Sequence, residues 1–120
     1  MAFLFENLRV YQESVAFADA IIALTNTFPR GFYFLADQLN RAAASVSANI
    51  AEGNSRFTKA DRTHFFTIAR GSLLECVPLL DLGHRQGLLD DDSHQSLRER
   101  MEAISKMVSG LIRGADKRSL

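Results

Sequence analysis

The sequence has few of the residues that cross-link or stiffen a small extracellular protein. Among its 120 residues are one cysteine, two prolines and no tryptophan. A single cysteine cannot form a disulfide within the chain, and Cys76 lies in an apolar stretch. We therefore expect a reduced, buried thiol in a cytoplasmic protein.

An excess of charge of one sign is also missing. The 14 Lys and Arg residues balance 14 Asp and Glu residues, so the formal net charge is zero. This balance excludes a general electrostatic attraction to nucleic acid or membrane. Any such affinity requires a local cluster of charge.

Long hydrophobic runs do not occur either. No stretch approaches the roughly 18 consecutive apolar residues that a membrane-spanning helix needs. The first residues contain Glu6 and lack a basic lead-in, so a signal peptide is not expected. With 47% hydrophobic and 23% charged residues, the composition is that of a soluble globular domain.

The sequence does contain apolar residues at helical spacing, in four segments separated by proline, glycine and polar breaks. The predicted helices cover about residues 7–27, 33–55, 58–83 and 93–113. Residues 114–120 are polar and are predicted to fray. Short connections between four helices favour an all-α fold over residues 1–113, an antiparallel up-down-up-down four-helix bundle.

The first helix carries more apolar residues than a bundle core requires. They form two rows that point roughly 120° apart. One row is Leu8, Tyr11, Val15, Ala18 and Ile22, and the other is Val10, Phe17, Ile21, Leu24 and Phe28. Either the helix is buried widely within its own subunit, or it also contacts another subunit. The candidates for an oligomer interface are Val10, Phe17, Ile21 and Leu24.

Polar residues at matching spacing mark the second and third helices. They are Arg41, Ser45, Asn49 and Glu52 on the second helix, and Arg70, Ser72 and Glu75 on the third. An antiparallel pair places Arg41 near Glu75, and Ser45 near Arg70 and Ser72. We favour a structural network of paired polar groups that fixes helix register. The alternative is a buried site with a poised carboxylate.

Metal and catalytic motifs are not evident. A di-iron bundle needs Glu-x-x-His pairs on two helices, and the sequence has none. Its histidines occur instead in the pairs Asp61/His64, Asp81/His84 and Asp91/His94. The first two pairs are separated by about 30 Å of helix and cannot share an ion. We predict no metal, no cofactor and no enzymatic activity.

Arg56, Lys59 and Arg62 form a small cluster of cations around the turn between the second and third helices. In a monomer such a cluster is an ordinary solvated surface. A ring of subunits would repeat it around an axis and make a substantial site for phosphates. These three residues are the candidates for nucleic-acid binding, and the oligomeric state decides whether they are sufficient.

The same region carries a combined motif. It consists of Arg41-Ala42-Ala43, Ser45, Asn49-Ile50-Ala51-Glu52-Gly53, Arg56, Phe66, Ala69-Arg70-Gly71-Ser72 and Glu75. Over roughly residues 3 to 90 the chain resembles the rRNA intervening-sequence protein family of bacterial four-helix bundles. The resemblance implies a cyclic homo-oligomer, a homopentamer, without catalytic activity. A related branch, the accessory proteins of diversity-generating retroelements, binds a reverse transcriptase and nucleic acid.

These observations predict a non-catalytic oligomeric scaffold or binding protein. It would contact RNA, or a nucleic-acid-associated protein, through the cluster of Arg56, Lys59 and Arg62, and it would not contact membranes. The alternative is a purely structural homo-oligomer that binds no nucleic acid.

Overall fold

Four α-helices account for most of residues 3–115, the part of the chain that a computed structural model describes. They are α1 Arg9–Thr25, α2 Tyr33–Asn54, α3 Lys59–Arg85 and α4 Asp91–Ala115. Short 3-10 helices at Leu4–Asn7 and Arg30–Phe32 precede α1 and α2. The all-α fold predicted from the sequence is confirmed.

The helices contact one another in chain order. α1 packs on α2, α2 on α3 and α3 on α4, and α4 returns to α1. The α2–α3 interface is the most extensive, and the α1–α4 interface is the least extensive among the four. Because short turns join helices that lie side by side, consecutive helices run antiparallel, as in the predicted up-down-up-down bundle.

The helix ends depart from the predicted bounds by a few residues. α4 extends to Ala115, which is past the predicted end at residue 113. Residues 1–2 and 116–120, and with them most of the predicted polar tail, lie outside the described residues. No described helix is both long and apolar enough to cross a lipid bilayer.

Side-chain caps explain where α3 and α4 begin. The Asp61 backbone N–H donates to Thr58 Oγ1 at 3.1 Å, at the start of α3. The Ser93 backbone N–H donates to Asp90 Oδ1 at 2.7 Å, at the start of α4. This hydrogen bond, with a second from the Ser93 side chain, lowers the pKa of Asp90 below its usual value. Both caps satisfy amides that the helix itself cannot pair.

The row of α1 that faces the core is the one proposed for an oligomer interface. Val10, Phe17 and Ile21 are buried within the subunit, and Leu24 packs against the same core. Their assignment to an intersubunit contact is therefore corrected, since buried side chains present no surface to another subunit. The outer row is the more exposed one, with Val15 at 37% and Ile22 at 43%.

α2 and α3 approach each other closely at Gly53, near the turn that joins them. A Cβ atom on Gly53 would lie 2.7 Å from Phe66 Cε1 and 3.2 Å from the Arg62 carbonyl oxygen. Glycine is therefore required at this position for the two helices to pack at this distance. The close packing fixes the position of the 55–58 turn and of the side chains around it.

Candidate interaction surface on the second and third helices

A cluster of hydroxyl and amide groups lies at the centre of the polar face of α2. Ser45 Oγ accepts hydrogen bonds from Asn49 Nδ2 and from Ser72 Oγ, both at 2.9 Å. Asn49 Nδ2 also donates to the Ser45 carbonyl oxygen at 2.8 Å. All three side chains are half-buried. The contact between Ser45 and Ser72 that antiparallel packing predicts is confirmed.

The predicted buried pair of Arg41 and Glu75 is wrong. Arg41 Nε lies 3.0 Å from Asp37 Oδ2, one turn earlier on the same helix, and the Arg41 side chain is 80% exposed. Glu75 is exposed as well. Both residues lie at about the predicted height along the bundle but at the outer edge of the α2–α3 contact. Long charged side chains there remain solvated, because burial would remove water from both charges.

Two other members of the predicted network also lie elsewhere. Arg70 is two positions from Ser72 and so points about 200° away from it around α3, on the side away from α2. Glu52 is exposed and pairs with Arg56, in the turn just after α2, at 3.1 Å between Oε2 and Nη2. The polar face therefore contains no desolvated carboxylate among its described residues, and its centre is the Ser45–Asn49–Ser72 cluster.

Aromatic rings and cations surround the turn that follows α2. The Arg56 guanidinium carbon lies 4.8 Å from the centre of the Phe65 ring. The Phe65 ring in turn meets the edge of His64, at 5.1 Å between ring centres. Phe57 projects from the turn and is 82% exposed. Lys59, the first residue of α3, is exposed.

Arg62 does not belong to this exposed surface, and its assignment to nucleic-acid binding is corrected. Its side chain is only 2% exposed, and its Nη1 donates to the Phe57 carbonyl oxygen at 2.5 Å. Arg62 occupies the core-facing row of α3, four residues before Phe66. A guanidinium at that position anchors the turn to α3.

The two ends of the bundle differ in charge. Among residues 3–115, the end that contains the α2–α3 turn exposes the cations Arg9, Arg56, Lys59 and Arg113, which we call the basic pole. The same end also exposes three acidic residues, Glu6, Glu52 and Asp61. The opposite end exposes Asp90, Asp91 and Asp92 at the start of α4, with Arg30 and Arg85 as its cations. Phosphate groups would therefore meet less electrostatic repulsion at the basic pole than at the opposite end.

The opposite end also holds an arrangement that sequence reasoning missed. His84 Nε2 lies 2.6 Å from Asp91 Oδ1, and His94 Nε2 lies 2.8 Å from Asp81 Oδ1. The sequence shows these residues as Asp-x-x-His pairs along single helices, whereas the hydrogen bonds cross between α3 and α4. Within residues 3–115, no three His, Cys, Asp or Glu side chains are placed to hold a metal ion.

Cys76 lies inside the bundle with its sulfur directed at the backbone of its own helix. The Sγ is 3.5 Å from the Ser72 carbonyl oxygen. Burial, and secondarily the charge of Glu75, raises the pKa of the Cys76 thiol to about 12. The thiol is therefore protonated and weakly nucleophilic at neutral pH.

Comparison with known proteins agrees with this architecture. A family model described as the 23S rRNA-intervening sequence protein matches residues 6–110. No curated protein matches the chain. A solved structure from Bacteroides thetaiotaomicron, of a protein with unknown function from the S23 ribosomal protein family, is similar, with a TM-score of 0.81 and 24% sequence identity. The match covers 86% of this chain and 97% of that chain. At this identity the likeness shows a shared fold.

Proposed function

Because this chain belongs to the 23S rRNA-intervening sequence protein family, we propose that it is a non-catalytic, homo-oligomeric binding protein of the cytoplasm. Its ligand in this proposal is RNA, or a protein bound to RNA, and the contact is made by the basic pole. The assembly is cyclic, and a pentamer is the expected form.

The observation that carries the proposal is the uneven distribution of charge. A chain with no net charge exposes Arg9, Arg56, Lys59 and Arg113 at one end and three consecutive aspartates at the other. Affinity for phosphate depends on cations that converge locally and not on the total charge. One subunit offers few such cations, so repetition around a ring is an essential part of the proposal.

Two separate apolar surfaces support a ring. One is the outer row of α1, with Val15 and Ile22, and the other is the outer face of α3, with Leu74 at 51% exposure and Leu82 at 41%. Leu74 also borders an apolar groove of about 410 Å³ between α3 and α4. Two unlike surfaces on one subunit favour a head-to-tail contact between copies, and such contacts close into rings when the rotation allows it.

The polar face supports a non-catalytic role. The Ser45 hydroxyl is held by Asn49 and Ser72, and neither partner is a base that could activate it. The Cys76 thiol is buried with a pKa of about 12. Both groups act in this proposal as parts of the α2–α3 interface.

A purely structural homo-oligomer is the second candidate. It is favoured by the Glu52–Arg56 pair, which partly neutralises Arg56. In that case the apolar surfaces serve assembly, and the basic pole binds nothing.

Light scattering of the purified protein tests the ring, since a monomer would contradict it. Filter binding to an RNA of about 40 nucleotides across a salt series then separates the two candidates. The double variant Arg56→Gln/Lys59→Gln should bind more weakly and reduce the salt slope by about 2 for each subunit that the RNA contacts. The control Arg30→Gln/Arg85→Gln removes the same charge from the opposite end and should bind as the parent does. Equal loss in both variants, or no binding at low salt, rejects the RNA contact.

A further inference from the structure

The basic pole combines its cations with exposed aromatic groups. Phe57 is 82% exposed, although a phenylalanine at a turn is normally turned toward the core. Arg56 precedes it directly and rests on the ring of Phe65 at 4.8 Å, with about half of its side chain still exposed. The pole thus presents flat aromatic and guanidinium surfaces beside positive charge.

We propose that this pole binds single-stranded RNA, with one unpaired base stacked on the ring of Phe57. Arg56 and Lys59 contact the phosphates on either side of that base. The inference rests on the proposed function, and it adds that the RNA is unpaired at the point of contact.

The exposed ring is what distinguishes single strands from duplexes. In a duplex the flat faces of the bases are covered by their neighbours, so Phe57 would find only the sugar–phosphate edge. An unpaired base offers its whole face, and proteins that bind single strands combine such stacking with cations along the backbone. A duplex would gain from the cations but nothing from the ring.

Charge also favours RNA over the other ligands of an exposed aromatic ring. A protein partner that covered Phe57 would need acidic groups placed against Arg56 and Lys59, whereas a phosphate backbone supplies them at every nucleotide. Phe57 lies between polar residues in a turn, and the other strongly exposed apolar residues just before α1, Phe3 and Leu4, belong to a separate short segment. These residues do not form the continuous apolar helix face by which a peripheral helix enters a membrane. These alternatives remain outcomes of the test.

Fluorescence provides a direct measurement, because the chain has no tryptophan. The variant Phe57→Trp places a single fluorophore at the proposed stacking position. An unstructured RNA oligonucleotide should bind this variant and quench its tryptophan fluorescence. A blunt RNA duplex of the same length should bind more weakly and quench less. Quenching by the duplex as strong as that by the single strand would overturn the inference.

Binding measured by anisotropy completes the test. Phe57→Ala should weaken single-strand binding by between about fivefold and about 150-fold, the range for loss of one stacked base, and leave the salt slope unchanged. Tyr33→Ala is the matched control, because Tyr33 is 60% exposed at the opposite end. Undiminished RNA binding by Phe57→Ala overturns this inference and leaves the proposed function standing, while absence of all RNA binding overturns both. If Phe57→Ala loses binding to vesicles of 3:1 phosphatidylcholine and phosphatidylglycerol but still binds RNA as the parent does, Phe57 contacts a membrane and not RNA.

Discussion

His84 and His94 lie face to face, with their ring centres 4.2 Å apart and their planes within 1° of parallel. One ring belongs to the last turn of α3 and the other to the first turn of α4, and each is hydrogen-bonded to an aspartate of the other helix. The two residues therefore join the ends of α3 and α4 next to the turn at Gly87, whose φ of 76° suits glycine.

Replacing one of these rings should loosen this end of the bundle. His94→Ala removes the stacking contact and the hydrogen bond to Asp81, and we expect a loss of roughly 1–2 kcal/mol in the free energy of unfolding. His64→Ala is the control, because His64 is exposed and should change stability by less than about 0.5 kcal/mol. Urea denaturation of both variants measures the difference, and equal effects would contradict a joining role for His94.

Two glycines of the α2–α3 pair should respond in opposite directions to alanine. Gly53→Ala places a Cβ atom 2.7 Å from Phe66 Cε1, so the helices must separate, at about 1–3 kcal/mol. Gly71→Ala meets no atom within 4 Å and should stabilise α3 by about 0.5–1 kcal/mol, through helix propensity. Thermal melting should show a lower melting temperature for Gly53→Ala and a higher one for Gly71→Ala. A lower melting temperature for Gly71→Ala would contradict the open space around Gly71.

The arginines of this region should differ in their contribution to stability because they differ in burial. Arg62→Ala removes a buried side chain and leaves the Phe57 carbonyl oxygen without this donor, at about 2–4 kcal/mol. Arg41→Ala and Glu75→Ala alter exposed side chains and should each change stability by less than about 0.5 kcal/mol. Denaturant titration separates the two outcomes. A large effect of Glu75→Ala would restore the buried pair that the structure rejects.

The raised pKa of Cys76 predicts how stability changes at alkaline pH. Between pH 9.0, the ordinary pKa of a cysteine thiol, and about pH 12, the pKa of the folded state, the unfolded chain loses the thiol proton while the folded chain keeps it. Stability therefore falls as pH rises through this window, by at most about 1.4 kcal/mol per pH unit from this group. Cys76→Ala should remove this part of the pH dependence. The native thiol should also resist alkylation at pH 8 until the protein is unfolded, and rapid modification would contradict its burial.

The number, order and packing of the helices could be predicted from the sequence, because three- and four-residue apolar spacing and polar breaks are local signals. Which of the two apolar rows of α1 faces the core could not be predicted. Both of its rows are apolar, and the buried row is interrupted in sequence by Ser14 and Thr25, whose hydroxyls are satisfied by the Val10 carbonyl oxygen and the Asn40 side chain.

For the polar residues of α2 and α3, the sequence predicted correctly which of them lie level along the bundle. It did not predict which side chains point into the interface between the two helices. Helical spacing determines which residues of α2 and α3 lie at the same level, and it correctly predicted the contact between Ser45 and Ser72. It does not say whether a long side chain at the edge of the interface turns inward or toward water, which is why Arg41 and Glu75 were misplaced. Arg62 was mistaken for a surface cation, although its spacing from Phe66 and Ala69 places it on the core row and could have revealed its burial.

The unequal helix interfaces of the bundle imply unequal local stability. α2 and α3 share the most extensive contact, whereas α1 meets α4 least and leaves a wide groove of about 530 Å³ between them. Amide protons of α1 should therefore exchange with deuterium through partial opening, before those at the centre of α2 and α3, which exchange only when the whole subunit unfolds. In a ring, a neighbouring copy that covered the outer row of α1 would slow this exchange, so protection of α1 would report assembly.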